Sequence, residues 1–205
     1  MIISSEQLLY ENRSYAVPQA RIQNKVKKGE LIPLKRGLFE TDSATPGFVI
    51  ANAIFGPSYI SFEYALSYHG MIPERVVTCT SATFGQNKKK EFQNAFGLFT
   101  YRDIPQQVFP YYYTRELYEN RPYFMASKEK ALCDQLYIAP PIRGIHDFKE
   151  YLFDGMRLDE DIFEELDFEK IRRIAPLYHK TNLHQLMKLL EKEKQIGRAS
   201  CRERV

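Results

Sequence analysis

The chain has 205 residues, 44% hydrophobic and 27% charged, with a net charge of +3 at pH 7. That is enough to bury a proper core in one large or two small domains without staples. No apolar run is long enough for a conventional transmembrane span, and the start MIISSEQLLYENRS lacks the basic, apolar and small-residue succession of a secretory leader, so the cytoplasm is the expected compartment. Cys79, Cys133 and Cys201 are odd in number and form no CxxC pair, which argues against a disulfide framework or a zinc site. Tyr and Phe are plentiful and Trp is absent, a balance that favours a mixed sheet-and-helix body.

In chain order, Ser4 or Ser5 can cap a short first helix carrying Leu8 and Leu9. Residues 17–40, VPQARIQNKVKKGELIPLKRGLFE, then concentrate the cations. Pro18 suits a first helical turn, and Gly29 suits the left-handed residue that closes a helix. Between them Arg21, Lys25 and Lys28 recur at i, i+4 and i+7 as a basic stripe, while Ile22 and Val26 lie about 100° round and can face a core. Gln23, Asn24 and Lys27 add donors beside the stripe. LIPLKRGLFE reads as a hairpin whose three-residue loop, Lys35-Arg36-Gly37, takes a positive φ at glycine.

A basic helix followed by a basic-tipped hairpin is what a winged helix-turn-helix presents to DNA, the helix in the major groove and the wing on the backbone. A plain solvated helix face carries similar charge. Against that blander reading, Arg13, Arg21, Lys25, Lys27, Lys28, Lys35 and Arg36 are opposed between positions 13 and 36 only by Glu30, in a chain nearly balanced overall.

Beyond residue 44, Thr45-Pro46 reads as an N-cap and first turn, with Phe48, Ala51, Ile54 and Phe55 as the buried stripe and Gly56-Pro57 as the stop. Tyr59-Ile60 suits a short strand, and Ser61 suits the cap of a helix that buries Phe62, Ala65 and Leu66 before Gly70. Strands are expected over RVVTCT (75–80), over 91–96 and over 98–103, with Phe99 and Tyr101 on one face. Residues 105–120 fit an extended arm, an irregular loop or a weak helix. Tyr111, Tyr112 and Tyr113 within them suit base stacking, but more often form core or rim. PYFMA (122–126) reads as a strand and Ser127 as the cap of a helix with Ala131, Leu132, Gln135 and Leu136 at packing spacing. After Pro140-Pro141 the chain is helical in character, with Asp159, Asp167 and Thr181 or Asn182 as caps.

Catalytic signatures are missing: no P-loop, GxGxxG, GxSxG or HExxH occurs. His69, His146, His179 and His184 are scattered, so no metal or other cofactor is expected. A metal-dependent nuclease would need paired carboxylates and a lysine, and Asp103 with Glu129 and Lys130 is the nearest set. Glu129 and Lys130, adjacent in an opening helical turn, should diverge. No enzymatic activity is expected.

Two ordered blocks carry a resemblance: Tyr-Ile-Ser-x-x-x-Ala-Leu from Tyr59, ending at His69-Gly70, and Ala-Ser-x-Glu-Lys-Ala-Leu-x-Asp from Ala126 to Asp134. With RGLFE before them and KKKEFQNAFGLFTYRDIP between, residues 15–140 or so resemble the AbiEi-type antitoxins of type IV toxin–antitoxin systems, regulators in phage-defence (abortive infection) operons. The chain departs from that pattern in its short, weakly patterned first helix.

The resemblance implies an autorepressor that binds double-stranded promoter DNA at operon repeats and counteracts a nucleotidyltransferase-like toxin without needing to contact it. It permits a dimer on DNA. Carried onto this chain, the DNA-binding residues are Arg21, Gln23, Asn24, Lys25 and Lys28 on the helix and Lys35 and Arg36 on the wing. Lys88, Lys89, Lys90 and Arg102 are candidates for an antitoxic surface. The alternative is a protein-interaction antitoxin that neutralises its toxin by direct contact without binding DNA. The expected fold is α+β: a winged helix-turn-helix over 1–44, a mixed α/β body over 45–195 ending in helices, and a tail over 196–205 that looks non-native.

Overall fold

The computed structural model describes residues 1–86 and 89–202, the side chains beyond 192 excepted, and its architecture is mixed α+β. The first segment holds β1 (Ile2–Ser4), α1 (Ser5–Glu11), α2 (Pro18–Lys27), β2 (Ile32–Lys35) and β3 (Leu38–Glu40). Its strands form an antiparallel three-stranded sheet in the order β1-β3-β2. Ser4 caps α1, its hydroxyl accepting from the Gln7 N–H at 3.1 Å. Pro18 opens α2 where its missing N–H costs nothing. At the other end Gly29 takes φ +74°, and the N–H groups of Gly29 and Glu30 return to the carbonyls of Val26 and Lys25, a Schellman closure.

Ile3, Leu8, Ile22 and Leu31 form a small core of their own, with Leu9, Val26 and Phe39 packed on it. β1 is an element the sequence pattern did not announce. The hairpin is also tighter than expected: Lys35 pairs with Leu38, leaving Arg36-Gly37 as the loop, and the extra residue is taken up as a bulge between Pro33 and Lys35. Gly37 (φ +79°) has its carbonyl on the Ser5 N–H at 2.8 Å, so the turn also anchors the start of α1.

The body contains α3 (Gly47–Ile54), β4 (Tyr59–Ile60), α4 (Phe62–Tyr68), β5 (Cys79–Thr83), β6 (Lys90–Asn94), β7 (Gly97–Asp103), β8 (Tyr113–Tyr118), β9 (Arg121–Ala126) and α5 (Lys128–Ile138). Next come α6 (Ile145–Glu150), α7 (Glu160–Glu164), α8 (Phe168–Ile174) and α9 (Thr181–Arg202). Six strands form one sheet in the order β6-β7-β5-β4-β9-β8, parallel at β5/β7 and β4/β9 and antiparallel elsewhere. Ser127, Asp159 and Asp167 accept backbone N–H bonds at the starts of α5, α7 and α8, as their positions in the sequence require.

Four local expectations are corrected. The strand placed at 75–80 lies at Cys79–Thr83; Val77 is 79% exposed, whereas all of Cys-Thr-Ser-Ala-Thr is buried between β4 and β7. β-branching alone pointed at the wrong end, because a central strand is chosen by burial. On α3 the buried set is Val49, Ile50, Ala51 and Ile54, with Phe48 and Phe55 half-buried at its edges. Pro46, not Thr45, holds the N-cap of α3. Ser61 occupies the N-cap of α4, but its hydroxyl makes no cap bond. Residues 105–120 resolve into a 3₁₀ turn over Gln106–Val108 followed by β8.

Helix α9 carries the backbone through Arg202, so the segment 196–202 continues a helix that Leu183, Leu186, Leu189 and Leu190 seat on the core. Residues 203–205, Lys88 and the side chain of Cys201 lie outside the described residues. Among the described residues no helix is long and apolar enough to cross a membrane.

Candidate nucleic-acid interface

The basic stripe sits on the outer side of α2 because Ile22 takes the opposite side into the small core. Arg21, Asn24, Lys25 and Lys28 line one shallow groove with Tyr15 and Val17. Arg21, Gln23, Asn24 and Lys28 are exposed and Lys25 is half-buried. Gln23 is not part of that groove, and neither are Lys35 and Arg36. Arg36 is exposed in the hairpin loop. The ammonium of Lys35 turns the other way and donates to the carbonyl of Ile54, at the end of α3, at 2.5 Å. A cation at a helix C-terminus is favourably placed against the macrodipole. Lys35, exposed at the end of β2, therefore also fastens the first segment to the body.

The same joint uses Glu40. Its buried carboxylate accepts from the Arg121 guanidinium, the Met1 ammonium and the N–H groups of Thr41 and Asp42. Burial alone would push this carboxyl up, but those donors outweigh it and hold the group below the ordinary carboxylate value. Leu34 belongs to the body core, and its carbonyl accepts from Asn94 Nδ2 at 3.0 Å.

Two arginines near the α1–α2 turn lie on tyrosines. The Arg21 guanidinium carbon is 4.0 Å from the ring centroid of Tyr15, and that of Arg13 is 4.1 Å from Tyr10. Tyr15 did not stand out in the sequence, since its pairing with Arg21 crosses from a turn to a helix and obeys no helical spacing, whereas Tyr10 and Arg13 are three apart, a spacing that could have signalled theirs.

A buried polar assembly lies elsewhere, around Asp134. Lys130 and Asp134 pair at 3.2 Å, one turn apart on α5, both with no exposed side-chain surface. Asp134 also accepts from Ser61 (2.7 Å), Tyr59 (3.0 Å) and Tyr178 (2.5 Å). Lys130 donates to the Val108 carbonyl at 2.9 Å and to the Tyr178 hydroxyl at 2.7 Å. Burial, then the Asp134 charge, pushes the Tyr59 and Tyr178 phenols well above their ordinary value. Tyr113 stacks on Tyr59 at 4.8 Å between centroids, which makes the tyrosine run 111–113 part of the packing around this cluster.

Asp103, Glu129 and Lys130 are drawn into different networks. Asp103 accepts from the Gln86 N–H, Glu129 binds Ser127, the Asp167 N–H and Lys170, and Lys130 serves Asp134. Among the described residues no group of three or more His, Cys, Asp or Glu side chains could hold a metal ion. Of the residues suggested for an antitoxic surface, Arg102 pairs with Glu63 at 3.1 Å, Lys89 is exposed and Lys90 is half-buried. Comparison with known proteins returns no match, either to a protein-family model or to a curated protein sequence.

Proposed function

We propose that the chain is a DNA-binding transcriptional autorepressor of the type IV antitoxin kind. On this reading the first segment is a winged helix-turn-helix whose α2 enters the major groove of promoter DNA. The observation that carries the reading is a concentration of unpaired cations. In the body Arg102, Arg121, Lys128, Lys130, Arg157, Lys170 and Arg172 have carboxylate partners, while Arg75, Arg115 and Arg143, without one among the described residues, are separated by long stretches of chain. On the first segment Arg13, Arg21, Lys25, Lys27, Lys28 and Arg36 have none among the described residues, although Glu30 lines the same groove as Lys25 and Lys28. Cations left unneutralised on one small face raise the local potential that draws a polyanion.

In this account Arg21, Lys25, Lys28 and Arg36 meet phosphates, while Gln23 and Asn24 are free to read base edges. The body counters a nucleotidyltransferase-like toxin, and the chain itself carries no catalytic step. Charge reversal at Lys25→Glu with Lys28→Glu tests the proposal: the gel shift of promoter DNA is lost while the circular dichroism spectrum is kept. Retention of the shift removes α2 from the mechanism.

A second reading has a specific observation in its favour. Lys35 and Glu40 are both committed to the body, as expected of a segment that orders its neighbour in a protein-interaction antitoxin. Co-purification with the neighbouring gene product, together with no DNA shift at low salt, would select that reading.

A further inference from the structure

We infer that the α1–α2 turn is a preset clamp for DNA phosphates, built from the two arginine-on-tyrosine stacks Arg13/Tyr10 and Arg21/Tyr15, with each tyrosine acting as a positioning residue. The inference rests on the DNA-binding reading above and adds to it a site and two tyrosines. Tyr10 and Tyr15 are 66% and 47% exposed and belong to neither core cluster, so packing does not account for them. What each does touch is a guanidinium, at 4.1 and 4.0 Å from the ring centroid.

A guanidinium held over a ring by cation–π attraction keeps its in-plane N–H edge open for a phosphate, since the ring occupies only its face. Arg13 is fixed further by donating to the Tyr10 carbonyl at 3.1 Å, which leaves its other N–H groups unspent. The turn itself is rigid. The buried Asn12 side chain donates to the Leu8 carbonyl at 2.7 Å, and the Asn12 carbonyl takes the Tyr15 N–H. Two long cations are thereby ordered before the duplex arrives, and the entropy that binding would otherwise spend on them is saved.

The test measures binding of a labelled duplex from the DNA upstream of the chain's own gene, with a random-sequence duplex beside it. Tyr15→Ala and Tyr10→Ala should each weaken binding about threefold to tenfold, the effect of freeing one long side chain. The salt slope should stay unchanged, because the arginines still reach phosphate. Arg21→Ala and Arg13→Ala should each lower the slope by about 0.9. The phenylalanine variants should bind within about twofold of the parent, because the ring face is kept.

The deciding comparison is the double variant: Tyr15→Ala should add nothing once Arg21 is alanine, and Tyr10→Ala nothing once Arg13 is alanine. Full additivity overturns the inference, as does an unchanged affinity in both tyrosine variants, while the repressor reading survives either result. A parent protein that binds neither duplex at low salt overturns both. Independently of DNA, the ring-current shift on the Arg21 side-chain methylenes should vanish in Tyr15→Ala. If those protons show no such shift in the parent protein, the stack is absent in solution and the clamp falls.

Discussion

The Ser61 hydroxyl donates to Asp134 Oδ2 at 2.7 Å, tying together segments 73 residues apart. At the other end of the same two stretches His69 Nε2 donates to the Ala126 carbonyl at 2.7 Å. The block that begins at Tyr59 and the block that ends at Asp134 are thus laid against each other, α4 beside α5, with the buried Lys130 ammonium between the sheet and Tyr178. This explains the residue types. A lysine with no exposed surface needs a carboxylate, and that carboxylate needs the surrounding hydroxyl donors to offset its own desolvation.

Replacing Asp134 by Asn should therefore be severe. It leaves the buried Lys130 without its counter-ion, a loss of about 3–5 kcal/mol. Urea denaturation should show a lower midpoint at an unchanged slope. The paired change Lys130→Met with Asp134→Asn should cost less than Asp134→Asn alone, since it removes both charges together and keeps an acceptor for the Ser61, Tyr59 and Tyr178 hydroxyls.

Glu40 should make the joint between the first segment and the body sensitive to acid. Its carboxyl is held below the ordinary glutamate value in the folded protein. The stabilisation is therefore complete above the unfolded value and is lost as pH falls through the folded one. The protection of β3 amides, relative to their intrinsic exchange rates, should fall below about pH 4 in the parent protein, near the ordinary glutamate value. Glu40→Gln should show the lowered protection at neutral pH as well, with a stability loss of about 2 kcal/mol from the weakened charged hydrogen bonds.

Lys35 separates attachment from binding. Because its ammonium is spent on the Ile54 carbonyl, Lys35→Met should loosen β2 in hydrogen exchange yet change the salt slope of DNA binding far less than Lys25→Met or Lys28→Met. An equal drop in slope for Lys35→Met would return this residue to the phosphate contacts.

Much of this was legible in the sequence, for identifiable reasons. Pro18 and Gly29 bracket α2 because each residue suits only one end of a helix, and Ser127, Asp159 and Asp167 mark helix starts because their side chains must accept backbone N–H groups. Phe99 and Tyr101 alternate into the core as the period of a strand dictates. The cluster around Asp134 was hidden because it is assembled from α5, β4 and the stretch after α8, and no spacing rule connects such distant positions. Tyr59, Ser61, Lys130 and Asp134 lie within the Tyr-Ile-Ser and Glu-Lys-Ala-Leu-x-Asp blocks, where a lysine and an aspartate one turn apart on a helix were the available signal. The bond from Lys35 to the Ile54 carbonyl was hidden for a related reason. A hairpin seen alone gives its cation to solvent, and only the docking of the first segment puts a helix C-terminus within reach.

The most direct measurement is the dependence of DNA affinity on salt. If Arg21, Lys25, Lys28 and Arg36 meet phosphates, log K should fall against log salt with a slope of about −3 to −4, steeper by about 0.9 with the Arg13 contact inferred above, and alanine at any one of them should flatten it by about 0.9. A parent slope near zero, or one that stays steep when Lys25 and Lys28 are both removed, would contradict the assignment of the unpaired cations to a DNA backbone.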